Sequence, residues 1–74
     1  MITLKAARVN AGLTQSEAAQ KLGVSDRTLM LWEMGKTFPN VPAIEKIQSL
    51  YGVPYSDLIF LPKDFNKTEN DERG

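Results

Sequence analysis

The two side chains most versatile in catalysis are missing from this chain, which has no His and no Cys among its 74 residues. Without imidazole or thiol there is no ready general base, no thiolate nucleophile and no common zinc ligand. Catalysis would then need paired carboxylates or an activated Lys. The acidic residues do not pair: Glu17 and Asp26 fall at helix starts, and four more lie in the last twelve positions. No catalytic residue, metal or cofactor is therefore expected. What remains is recognition by hydrogen bonding, and the side chains suited to it gather between Gln15 and Lys36. The planar fork of Arg27 matches the O6 and N7 acceptors of a guanine edge. Thr28 can touch a phosphate or a thymine methyl. Asp26 can accept from a cytosine or adenine amine, although it repels phosphates and suits helix capping better.

These residues need elements to hold them, and the stretch from Thr14 to Trp32 supplies a pair. Leu13 precedes Thr14, and Glu17 follows three residues later, the spacing of a capping box that opens a helix over 15–22. Gln15 stands at the amino end of that helix, where open amides and the helix dipole favour a phosphate. Gly23 ends the helix and Val24 plugs the turn. Ser25 caps a third helix, about 25–34, with Asp26 in its first turn and Leu29 and Trp32 facing inward. Ala19 is small enough to let the two helices cross closely. Small residue, Gly, plug and inward apolar residues together have the shape of a helix-turn-helix, in which the second helix lies in the major groove.

The flanking sequence reads as further short helices. Thr3 can cap a first helix at roughly 4–11, with Leu4, Ala7 and Ala11 on one stripe and Gly12 past its end. Arg8 falls on the side of Leu4, so it either snorkels to water or meets a partner elsewhere in the chain. After a loop containing Pro39, Pro42 suits the first turn of a fourth helix over 42–51, striped by Ile44, Ile47, Leu50 and Tyr51. Pro54 opens a fifth helix at about 55–60, with Leu58 and Ile59 inward. The expected fold is all-α, five short helices with no strand-period segment.

Length allows one small domain, expected over residues 1–62, followed by a charged tail over 63–74 that is expected to be disordered from about residue 64. Seven of the last twelve residues are charged, and only Phe65 among them is large and apolar. There is no apolar run long enough for a signal core or a membrane span, and a cytoplasmic setting is expected. Net charge is zero, with pI about 6.2. Such balance counts against a broad basic face, so any nucleic-acid backbone must be held by helix termini and a few placed cations.

Residues 4–62 resemble the Cro/C1-type (lambda-repressor-like, XRE) DNA-binding domain, in the form used by phage regulators. The resemblance is carried by Leu4, Arg8, Gly12-Leu13-Thr14-Gln15, Ala19, Leu22-Gly23-Val24-Ser25, Trp32-Glu33-Met34-Gly35-Lys36, Pro39, Leu50-Tyr51-Gly52-Val53 and Leu58. It implies five helices, with the second and third forming the motif. It implies a structural ion pair between Arg8 and Glu33, and DNA phosphate contacts by Gln15 and Lys36. It places Ser25, Asp26, Arg27, Thr28 and Leu31 where the family reads bases. The function it implies is sequence-specific transcriptional regulation of the Cro/repressor type on a double-stranded DNA operator.

Related domains commonly bind as two-fold dimers, and Tyr55, Ile59, Phe60 and Leu61 are the dimer candidates, unless they serve only to pack the last helix down. A second reading keeps the fold but changes the partner. Met30 and Leu31 are two large apolar residues on or beside the reading surface, which suits a protein interface. With the near-neutral charge, they fit a modulator or antirepressor that binds a partner repressor protein.

Overall fold

Every α-helix opens on a capping side chain. In the computed structural model, which describes residues 1–60, the helices are α1 (Leu4–Asn10), α2 (Gln15–Leu22), α3 (Asp26–Glu33) and α4 (Val41–Tyr51). Thr3 Oγ1 accepts from the Ala6 amide at 3.1 Å, and Asn40 Oδ1 accepts from the Ala43 amide at 2.9 Å. Thr14 and Glu17 close a full capping box: the Thr14 hydroxyl accepts from the Glu17 amide at 3.1 Å, and Glu17 Oε1 accepts from the Thr14 amide at 2.9 Å. The Ser25 hydroxyl accepts from the Thr28 amide at 3.1 Å. Because Asn40 caps α4, that helix starts at Val41, one residue before the expected Pro42.

Glycine closes the turn of the motif. Gly23 has φ of +76°, a left-handed conformation that an L side chain adopts only with strain, and it lets the Val24 amide reach back to the Ala19 carbonyl at 3.0 Å. The chain thus leaves α2 and enters α3 within three residues.

The fifth helix is not formed. Residues Tyr55–Asp57 make a single 3-10 turn, and the chain then extends as β2 (Leu58–Ile59), which pairs in parallel with β1 (Ile2–Thr3). The register sets Ile2 opposite Leu58 and Thr3 opposite Ile59. Tertiary pairing outweighs local propensity here, since a short helix would leave the backbone groups of Ile2 and Thr3 without a strand to bond. Leu58 is buried as expected, but from a strand rather than a helix. The fold remains all-α in class, with this small pair tying the start of the described chain to its end.

The core comprises Leu4 and Ala7 of α1, Ala18, Ala19 and Leu22 of α2, Leu29 and Trp32 of α3, Ile47 and Tyr51 of α4, and Leu58. Leu29 and Ile47 are its largest fully buried side chains. The helices α2 and α3 pack more extensively on each other than any other two elements, with Ala18 and Ala19 completely covered at the crossing. The expected tail over 63–74, Pro62 at the expected domain boundary, and Phe65 lie outside the described residues.

Candidate nucleic-acid interface

A buried ion pair fixes the outward helix. Arg8 Nε donates to Glu33 Oε2 at 2.7 Å and Arg8 Nη2 to Glu33 Oε1 at 3.4 Å, joining α1 to the last residue of α3. The third arm of the fork, Nη1, donates to the Leu13 carbonyl at 2.9 Å. Both side chains are almost fully covered, at 9% and 5% exposure, so Arg8 does not snorkel. Gln15 Nε2 adds a third donor to the same carboxylate, reaching Glu33 Oε1 at 3.2 Å. One carboxylate thereby gathers α1, the start of α2 and the end of α3.

That arrangement changes how Gln15 meets an anion. Its side-chain amide is turned toward Glu33, while its backbone amide stands in the first turn of α2. The capping box uses the Thr14 and Glu17 amides, leaving those of Gln15 and Ser16 as the open end of α2. Glu17 is itself held below the usual carboxylate range, first by the Thr14 backbone amide and then by the Thr14 hydroxyl.

At the leading end of α3 most polar groups are already engaged. The Ser25 hydroxyl, besides capping, donates to Thr28 Oγ1 at 2.9 Å. Asp26 Oδ2 accepts from the Ser16 hydroxyl at 2.9 Å, tying the first turns of α2 and α3 together. Arg27, between them, is exposed and makes no hydrogen bond or ion pair with the described residues. Leu31, one turn on, is half-buried. Lys36 is exposed, and its backbone amide reaches the Leu31 carbonyl at 3.0 Å to close α3 through Gly35.

Met30 and Leu31 are both half-buried. Neighbours on a helix point about 100° apart, and Met30 turns into an open cleft of about 640 Å³ that Lys5, Gln15, Glu33 and Met34 also line. Among the dimer candidates, Tyr55 is exposed, Ile59 and Phe60 are half-buried, and the Tyr55 and Phe60 rings lie 5.8 Å apart. Phe38, Pro39 and Ile44 join those two rings around a hollow of about 250 Å³. Leu61 lies outside the described residues.

The structure thus brings Arg8, Glu33 and Gln15 into one cluster and Ser25, Asp26 and Thr28 into another, with Arg27 standing free of both. Sequence reasoning missed the Gln15–Glu33 and Ser16–Asp26 bonds, as well as Lys5. Those bonds join different helices, and only the crossing of α2 over α3 brings the partners within reach. Among the described residues no group of His, Cys, Asp and Glu could hold a metal ion, and no helix is long and apolar enough to cross a membrane.

Residues 4–58 match the helix-turn-helix family. The chain is 36% identical over 52 residues to the cryptic phage CTXphi transcriptional repressor RstR of Vibrio cholerae, covering 70% of this chain and 47% of that one. It is 35% identical over 68 residues to the HTH-type transcriptional regulator ImmR of Bacillus subtilis, covering 92% and 54%. An uncharacterized HTH-type transcriptional regulator of Methanocaldococcus jannaschii is 38% identical over 61 residues, covering 82% and 92%. The chain spans about half the length of the first two relatives. A match running from α1 through Leu58, over the capped pair α2–α3 and the ion pair that braces it, settles the family: the chain belongs to the Cro/C1-type (XRE) helix-turn-helix proteins.

Proposed function

We propose that this chain is a sequence-specific DNA-binding transcriptional regulator of the phage Cro/repressor type, with α3 laid in the major groove. The observation that carries the reading is Arg27: an exposed guanidinium, without a partner among the described residues, in the first turn of a helix braced from both ends. Its fork is free to take the O6 and N7 of a guanine. Leu31, one turn later, offers an apolar contact to a thymine methyl. Ser25 and Thr28 present hydroxyls beside Arg27, and Asp26 holds the helix start through Ser16. The open amides of Gln15 and Ser16, with the Lys36 ammonium, hold the phosphates on either side. Tyr55, Ile59, Phe60 and Leu61 are the surface for a second copy on a two-fold operator. Family membership and two relatives named as transcriptional regulators, one of them a phage repressor, support the reading.

The test is selection of duplexes from a random pool, followed by mobility shift at ~50 mM salt. A recovered consensus is expected, and Arg27→Ala should bind it more weakly by ~1–3 kcal/mol while relaxing one base position. Uniform weakening on unrelated sequences would make Arg27 a phosphate contact instead. Failure to retain any duplex, together with a stable complex with a repressor domain, would favour the modulator reading.

A further inference from the structure

Residues 1–60 contain six cationic side chains, of which Arg8 is held inside the fold and two more, Lys21 and Lys46, face away from the outward edge of α3. Arg8 spends its whole fork on Glu33 and Leu13. Lys21 and Lys46 line a separate cleft between α2 and α4, shared with Glu45. There Lys46 Nζ comes within 3.9 Å of where a Cβ on Gly23 would stand, and Lys21 lies near the Glu17 carboxylate. The remaining three are Lys5, Arg27 and Lys36, which like Lys21 and Lys46 are exposed. Arg27 and Lys36 already have places in the proposed DNA contact. Lys5 does not, yet it borders the cleft of about 640 Å³ that runs along α3.

The walls of that cleft define what fits. Glu33 lines it, but its charge is answered by Arg8 and by the Gln15 amide. The one unanswered charge in the lining is the Lys5 ammonium. Opposite it, Met30 and the exposed Met34 give a polarizable apolar wall from α3. An occupant should therefore pair one negative charge with a compact apolar face, and it should lie along the stripe of α3 that Arg27 shares with Met30, three residues on. A sugar-phosphate unit has that form.

We infer that the cleft between Lys5 and the Met30–Met34 edge of α3 seats one sugar-phosphate unit of the DNA strand beside the groove. Lys5 pairs with the phosphate, and the methionine thioethers lie against deoxyribose. The inference rests on the DNA-binding reading above and adds a backbone contact from α1. It also gives Met30 a role apart from base reading.

The experiment measures binding to a labelled duplex of roughly 30 base pairs carrying the selected consensus, long enough for two half-sites one turn apart. Affinity is followed from ~50 to ~200 mM salt for the wild-type chain, Lys5→Gln, Lys5→Arg and Lys21→Gln. Lys5 is exposed, so its substitution should leave the unfolding midpoint in place. For Lys5→Gln the slope of log affinity against log salt should be shallower by about 0.9 per bound chain, with base preference unchanged. Lys5→Arg should keep the wild-type slope, and so should Lys21→Gln, whose charge faces the other cleft. A wild-type slope for Lys5→Gln would overturn the seat while leaving the DNA reading standing, and loss of binding only to an acidic protein partner would do the same. An equal change in Lys21→Gln would reduce the effect to net charge and overturn it too. A wild-type chain without salt-dependent binding to any duplex would overturn the DNA reading and this seat with it.

Discussion

Glu33 receives donors from Arg8 and Gln15 with only 5% of its side chain exposed, so removing it strands a buried guanidinium. Losing one partner of a buried pair typically costs ~3–5 kcal/mol, a large part of what a domain this small possesses. Glu33→Ala is therefore expected to lower the urea midpoint sharply at neutral pH, and an unchanged midpoint would show the pair contributes nothing. Tyr51 makes a second, independent case. Its hydroxyl is buried without a hydrogen-bond partner among the described residues, and burial, then the nearby Glu33 carboxylate, pushes its pKa up to about 12. The fold thus prefers the neutral phenol. Its contribution is fully present below pH 10, the ordinary value, and is lost as pH rises toward about 12. Tyr51→Phe should keep or slightly raise stability at pH 8 and lose less than the wild type by pH 11; equal losses would show that other groups carry the alkaline transition. Neither the orphaned hydroxyl nor the third donor on Glu33 was legible in the chain, because both depend on how α1, α3 and α4 converge. The meeting of Arg8 and Glu33 was expected only through resemblance, since nothing local links residues 25 positions apart.

Among the elements, what was legible is what is local. All four helix caps join residues three apart, so Thr3, Thr14 and Ser25 could be named from spacing alone, and α2 begins and ends where expected. The strand pair is the opposite case. Two-residue strands have no period to detect, and Ile2 and Leu58 meet from the two ends of the described chain. A propensity reading therefore continued Tyr55–Asp57 as a helix. The capping box at Thr14 deserves a test of its own because it positions the open amides of α2 as well as stabilising the helix. Thr14→Ala is expected to cost about 0.5–2 kcal/mol. It should also blunt the acid sensitivity arising from Glu17. That carboxyl is depressed in the fold, so its contribution is present above the ordinary value of 4.5 and is lost as pH falls through the lower folded value. Thermal midpoints at pH 7 and pH 3 for both chains measure this; an equal acid drop in Thr14→Ala would show that the hydroxyl has no part in it, leaving the residue-14 backbone amide, which the substitution keeps.

For the whole molecule the governing quantity is charge. A net charge of zero denies the chain the broad basic face that usually holds a protein on DNA; of its six cations within residues 1–60, Arg8 is paired inside the fold, and Lys21 and Lys46 line a cleft apart from the proposed contact. Lys5, Arg27 and Lys36 are then the cations on the proposed contact, which limits the number of phosphates neutralised per chain there. If each acts on a phosphate, the slope of log affinity against log salt cannot be steeper than about −0.9 for each, or roughly −3 per chain. With Arg27 on a base, the expected value lies nearer −2. A two-fold dimer doubles these figures per operator. Binding isotherms from ~50 to ~200 mM salt, with stoichiometry fixed by sedimentation, give the number directly. A slope well beyond −3 per chain would show that further cations, Lys21 and Lys46 or Lys63, Lys67 and Arg73, also meet DNA. A slope near zero would remove phosphates from the binding surface altogether and return the exposed edge of α3 to a protein partner.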